Sequence, residues 1–224
     1  YLMQSANKTM NPQLLLILAL IVAGIFGALL SLLHAFAAIN LKADQTISGT
    51  AINMLAPGLG LFLAKLIFNG NSSVPFSNTF RIHEIPVLSQ IPILGPILFK
   101  GAYITTYLGI VILILSVIFL NKTKAGLRLR ACGENPQAAD AAGVSVYTYR
   151  YMGVLLSGFL GGIGGLIYII PISTVFNSDV GGYGFLALAI LIFGNWQPYR
   201  IAAASLFFGV MKTLAYTYTA IPFL

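Results

Sequence analysis

What this sequence has least of is charge: Asp, Glu, Lys and Arg make up 8% of its 224 residues, against roughly 25% in a soluble domain. Hydrophobic residues fill 58%. Such a balance excludes an ordinary water-soluble globule and points to lipid as the solvent. The carboxylates are Asp44, Glu84, Glu134, Asp140 and Asp179, set against 12 Lys and Arg, for a formal charge of +7. This small excess, spread over short loops, fits the positive-inside rule. A nucleic-acid surface would cluster its basic residues on a soluble face, so no DNA or RNA partner is expected. Cys132 stands alone, which rules out an internal disulfide, and with only His34 and His83 beside it no Cys/His zinc site can be assembled.

Catalytic signatures are missing too. There is no G-x-x-x-x-G-K-[ST] phosphate loop, no G-x-S-x-G elbow and no H-E-x-x-H, since His83-Glu84 runs into Pro86 without a second His. Neither catalysis nor a cofactor or metal site is expected in this chain. Gly182-Tyr183-Gly184 is only the front of a dinucleotide fingerprint with no strand before it, and reads as a turn. Asn71-Ser72-Ser73 matches a glycosylation acceptor, a tripeptide common by chance. Residue 1 is Tyr, the first apolar run lacks the flanks of a signal peptide, and the end at Pro222-Phe223-Leu224 carries no charged tail. The expectation is a fragment whose natural start is missing, with an end that is also compatible with a cut.

What is present is a series of long apolar runs. Leu14 to Leu33 holds 20 residues without a charge, enough at 1.5 Å per residue to cross a hydrocarbon core of about 30 Å. Gln45 to Ala64 is a second uncharged run, expected to cross as a kinked or partly unwound helix because Pro57, Gly58 and Gly60 interrupt it. Gly101 to Asn121 and Tyr151 to Ile170 are the third and fourth spans. Val180 to Trp196 has only 17 residues and reads as a short steep span or a re-entrant piece. From Ile201 onward comes a sixth segment, whose Lys212 would snorkel or face the protein interior. The fold class expected is therefore all-α, a polytopic transmembrane helical bundle.

Orientation follows from residues 121–150, which hold Lys122, Lys124, Arg128, Arg130 and Arg150 against Glu134 and Asp140. That loop is expected in the cytoplasm. Alternation then puts seven Lys and Arg in inside loops and three outside, and makes residues 69–100, with four prolines, an external loop without regular structure. No Asp or Glu falls within an apolar span, whereas ion-coupled carriers place such groups near the midplane. A chain of this kind that moved a solute uphill would draw its energy from a partner.

Within the basic loop a short helix is predicted over Pro136–Ala142: Asn135 is a good N-cap, Pro136 suits the first helical position, and Gly143 can close the helix in a left-handed conformation. Its small side chains would let another protein's groove approach closely. The plainer alternative is an interfacial helix that only joins two spans.

The run from Gly126 to Gly165, GLRLRACGENPQAADAAGVSVYTYRYMGVLLSGFLGGIGG, resembles the segment by which permeases of the branched-chain amino acid, ribose and nucleoside importer superfamily contact their ATPase. Residues 33–59 and 181–198 are similar to its nucleoside, or simple-sugar, permease subfamily. The chain departs from that pattern in lacking upstream helices, in Ala56-Pro57, and in Tyr183 where Arg is expected. The resemblance implies one permease domain over 1–224 in a bacterial inner membrane, a second permease subunit, identical or paralogous, and an external substrate-binding lipoprotein. It also implies a cytoplasmic ABC ATPase that carries ATP and Mg. The coupling helix would comprise Glu134, Asn135, Pro136, Ala138, Ala139, Asp140, Ala142 and Gly143, and the solute would be a nucleoside or simple sugar. The alternatives are an ATP-independent channel or facilitator and a non-transporting scaffold.

Two sets of residues complete the expectations. Gly153, Ser157, Gly161 and Gly165, with Gly158 and Gly162 beside them, form a small-x-x-x-small stripe suited to close helix packing. Ser48, Thr50 and Asn53 in the broken second span, with Asn177 and Tyr183 near the external face, are candidates to line a pathway for a solute that needs a flat apolar contact and a few hydrogen bonds.

Overall fold

The structure is a computed structural model that describes residues 11–76, Phe80, Gly101 and residues 103–218. Helix α1, Pro12–Ala35, starts on Asn11, whose side chain accepts the Gln13 N–H, and on a proline at the first helical position. It runs into a π-helical turn, Phe36–Asn40, in which the Leu41 N–H bonds to the Phe36 carbonyl at 3.2 Å. Helix α2, Gln45–Ile67, starts on Asp44. It continues unbroken through Pro57, so the unwinding expected there is absent. Only the local bond is lost: Pro57 has no N–H to give the Asn53 carbonyl one turn earlier. The irregular turn of this half of the molecule is the π turn.

Helix α3 spans Ile104–Lys122. Extended Thr123 separates it from α4, Lys124–Glu134, and caps the latter by accepting the Gly126 N–H at 3.0 Å. Helices α5, Pro136–Ala141, and α6, Val146–Ile172, follow. Residues 121–150 thus hold a further helix beyond the short one predicted. Helix α7, Tyr183–Phe193, has 11 residues, about 16 Å of rise and half a hydrocarbon core. Helix α8 is Pro198–Tyr218. Among the described residues five helical stretches are long and apolar enough to cross a membrane, and α7 is the short fifth segment expected from sequence.

Helices α1 and α6 form the central antiparallel pair. Leu15, Leu16 and Leu20 of α1 and Ile163 and Ile170 of α6 are buried together, with Leu108 and Ile112 of α3 against them. The close approach uses Gly24 and Gly27 on α1 and Gly158 and Gly162 on α6. A Cβ on Gly158 would lie 2.7 Å from the Gly27 carbonyl oxygen and collide with Ser31; one on Gly162 would strike the Ala23 carbonyl. The predicted stripe is therefore displaced by one residue. A Cβ on Gly161 or Gly165 would meet nothing within 4 Å, one on Gly153 only Leu129 Cδ1 at 3.2 Å, and Ser157 is exposed. The 100° turn per residue explains this, because neighbouring small residues occupy different faces and sequence alone does not say which face meets α1.

The two ends of the bundle are tied separately. At one end a two-residue strand β1, Val74–Pro75, pairs antiparallel with β2, Val175–Phe176. So residues 69–100 contain a short strand, while residues 77–79 and 81–100 of that predicted loop lie outside the described residues. At the opposite end, Tyr147 and Tyr151 of α6 both donate their hydroxyls to Asn40 Oδ1, at 3.0 and 2.5 Å. Much apolar surface remains uncovered, including Phe26, Ile114 and Leu206 at 61%, 52% and 73% exposed, as expected of helices that meet lipid or other subunits.

Candidate functional site

A cavity of about 790 Å³ lies between α2 and α7. One wall is a single face of α2: Thr46, Gly49, Thr50, Asn53, Ala56 and Pro57 recur at helical spacing. Phe185 and Leu188 of α7 form the other wall, and Phe176, Ser178, Asp179 and Val180 close the end. The volume falls within the range of small-molecule sites, roughly 300–1,000 Å³. The Thr50 hydroxyl donates to the Thr46 and Ile47 carbonyls at 2.7 and 2.9 Å, which satisfies it within its own helix. Asn53 makes no side-chain hydrogen bond among the described residues, and its carbonyl lacks the bond Pro57 cannot give. With Gln45, it is a polar side chain of that wall that no hydrogen bond among the described residues engages.

The five pathway candidates separate into distinct places. Thr50 and Asn53 meet in this cavity. Ser48 does not; its hydroxyl lies 3.0 Å from His34 Nδ1 and links α2 to α1. Asn177 lines an adjoining pocket of about 220 Å³ with Tyr168 and Ser173. Tyr183 lines a third, of about 360 Å³, with Phe208, Met211 and Lys212. There the Lys212 ammonium stands 3.4 Å from the centroid of the Tyr183 ring, which itself packs on Tyr168 at 3.9 Å. A cation over an aromatic face tolerates an apolar helix better than a bare one, so Lys212 faces protein and does not snorkel. Where the family resemblance led to an expected arginine at position 183, the structure has Tyr183 with the Lys212 ammonium of α8 over its ring.

Sequence reasoning missed Phe176, Ser178, Asp179 and Phe185 as cavity residues. Asp179 was visible only as the boundary of an apolar run, and nothing in its spacing announced that the turn after α6 folds back over α2. A Cβ on Gly60 of α2 would lie 3.2 Å from the Ser178 Cβ, which locates that contact.

The second candidate element is α5. Asn135 Oδ1 accepts the Ala138 N–H at 3.0 Å. At the other end Gly143, with φ +77°, gives its N–H to Asp140, and Val144 gives its N–H to Ala139, the paired bonds of a Schellman closure. Glu134, Asn135, Ala138, Asp140, Ala142 and Gly143 are exposed and Pro136 is half-buried. Ala139 differs: it is 5% exposed and packs within the chain, so it is no part of the outward face. Helix α4 packs against α3, α5 and α6, so it joins α5 to the bundle.

Comparison with known proteins agrees with this architecture. The nucleoside ABC transporter permease protein NupC of Lactococcus lactis subsp. cremoris (strain MG1363) is 45% identical over 206 residues, 92% of this chain. The guanosine ABC transporter permease protein NupQ of Bacillus subtilis (strain 168) is 46% identical over the same length. The putative glucose ABC transporter permease protein TsgC13 of Haloferax volcanii is 30% identical over 194 residues, 84% of this chain and 57% of its own. The chain spans 65% of the length of the first two relatives. No solved structure matches. This is a multi-pass membrane protein, and, with residues 1–223 matched by the family profile, the chain belongs to the branched-chain amino acid transport system / permease component family.

Proposed function

We propose that this chain forms the membrane pathway of a permease subunit in an ATP-binding-cassette importer for nucleosides. The observation that carries this reading is α5: a helix capped at both ends, with a small-residue outer face, held at the end of the bundle where Lys and Arg cluster. That end is cytoplasmic by the positive-inside rule, and the β1–β2 end is external. A separate ATPase, which carries ATP and Mg, docks on Ala138, Asp140, Ala142 and Gly143. Its closure draws two permease subunits together and exchanges which end of the pathway is open. A second permease, identical or paralogous, covers the apolar faces that α2 and α8 leave open, and an external lipoprotein delivers the solute.

Nucleosides are favoured over simple sugars because the relatives at 45% and 46% identity are nucleoside and guanosine permeases, whereas the glucose permease stands at 30%. The cavity between α2 and α7 suits such a solute, offering Phe176 and Phe185 to a flat base and Asn53 to hydrogen bonding. The absence of Asp and Glu from the described spans removes the usual seat of a coupling proton or sodium ion.

The test is uptake by the full-length subunit, co-purified with its ATPase and reconstituted in proteoliposomes. Guanosine should accumulate only with ATP, and should continue to do so when proton and sodium gradients are collapsed. Uptake without the ATPase would establish a facilitator instead.

A further inference from the structure

Asp179 stands where two cavities meet. Together with Phe176 and Val180 it lines both the 220 Å³ pocket that holds Asn177 and the 790 Å³ cavity that holds Thr50 and Asn53. It is the sole carboxylate among the described residues that line either one. The segment that carries it is fixed on both sides. Ser178 has φ +58°, Gly181 +59° and Gly182 +74°, and Ser178 packs on α2 at Gly60. Asp179 Oδ1 accepts the Gly181 N–H at 3.0 Å. This holds the carboxyl group in place and leaves its other acceptor sites without a described partner.

A carboxylate held this way, beside two aromatic rings, matches one part of a nucleoside above others. The vicinal 2′- and 3′-hydroxyls of ribose present two O–H donors that one carboxylate can accept together, as charge-assisted hydrogen bonds stronger than those to a neutral acceptor. The same charge repels a 5′-phosphate. Base stacking on Phe176 or Phe185 would place the sugar beside the turn.

We propose that Asp179 is the specificity-determining group for the ribose diol and selects unphosphorylated ribonucleosides as they pass between the two cavities. This inference rests on the nucleoside-importer reading above.

The experiment uses the complete importer with its ATPase and lipoprotein in proteoliposomes, and compares uptake of guanosine with that of 2′,3′-dideoxyguanosine. Wild type and Asp179→Asn are measured side by side. Asparagine retains an oxygen for the Gly181 N–H, so the turn is kept while the charge is removed. The expected result is a guanosine-to-dideoxyguanosine ratio about tenfold lower in the variant, through a selective loss of guanosine uptake. Asp179→Glu, which restores a carboxylate, should recover a ratio above that of the asparagine variant. The lipoprotein's own preference cancels, because it feeds both proteins equally. An unchanged ratio would overturn the proposal, and so would a parallel loss of both solutes, since that would make Asp179 a support for the turn. Failure of the underlying reading is seen separately in the wild type, as uptake of glucose or ribose without guanosine, and would remove this proposal with it.

Discussion

Gly162 of α6 lies against the Ala23 carbonyl of α1 with no room for a side chain between them. Among the described helices the α1–α6 pair is the most extensively packed, and Gly158 against Gly27 repeats the arrangement one turn away. Gly158→Ala and Gly162→Ala should each destabilise the full-length subunit, by about 1–3 kcal/mol, the usual range for an overpacked contact. Gly161→Ala adds its methyl to open space and gains helix propensity, so it should be neutral or mildly stabilising. Thermal unfolding of the purified subunit in detergent measures all three. Equal losses at 161 and 162 would contradict the helix register.

At α5 the small side chains bear on the proposed docking of the ATPase. Ala138→Trp and Ala142→Trp enlarge the outer face and should leave the subunit folded while weakening ATPase co-purification by about ten- to a hundredfold, the equivalent of roughly 1–3 kcal/mol. Ala139→Trp, placed in the packed interior, should lower subunit stability itself. Gly143→Val forces a β-branched residue to φ +77° and should undo the Schellman closure. Expression, thermal stability and bound ATPase, read together, separate the two faces. If Ala138→Trp keeps its ATPase and uptake, the coupling role of α5 is lost.

The apolar runs were readable because a membrane span needs length and absence of charge, both local properties. The ends of α5 were readable as well, since Asn135, Pro136 and Gly143 each act within a few residues of themselves. Helix α4 was obscured by its basic residues and by Gly126 and Gly133, which lower helix propensity. Gly126 is there because the Phe119 carbonyl presses against it, a contact no pattern reveals. Pro57 misled for the opposite reason: a proline removes one bond, and a membrane helix with no water to replace its other bonds keeps its form. The cavity was half visible. Thr50 and Asn53 share a helix face by spacing, but their partners lie more than 100 residues away in a turn whose path depends on Ser178, Gly181 and Gly182 adopting positive φ.

Protonation of one cap offers a direct check on the entry to α2. The Ile47 and then the Thr46 N–H hold the exposed Asp44 carboxylate, and both lower its pKa below the usual carboxylate range. A pKa depressed in the folded chain contributes stability above the ordinary carboxylate pKa, and that contribution is lost as pH falls through the folded value. Asp44→Asn remains a capping residue but cannot titrate. The melting temperature of wild type relative to Asp44→Asn should therefore decline as pH is lowered from about 6 to about 3. A difference that stayed constant with pH would show that the charge at this cap is immaterial.

Asn40 connects the proposed drive to the proposed pathway. It closes the π turn that leads into α2, and its Oδ1 accepts hydroxyls from Tyr147 and Tyr151 in the first two turns of α6, just beyond α5. On the proposed reading, displacement of α5 by a docked ATPase would be passed to α6, and Asn40 is where α6 is bonded to the turn that precedes the cavity wall. The Tyr147 and Tyr151 rings pack on one another at 5.0 Å, which keeps the two donors side by side on Asn40. Asn40→Leu should leave the complex assembled and hydrolysing ATP, while solute taken up per ATP falls about threefold to tenfold. Tyr147→Phe or Tyr151→Phe alone leaves one hydrogen bond in place and should have less effect than the two together. A general loss of stability would lower ATP hydrolysis and uptake in parallel. Only loss of uptake with hydrolysis retained identifies Asn40 as the link, and normal uptake per ATP in Asn40→Leu would show that the motion travels by another route.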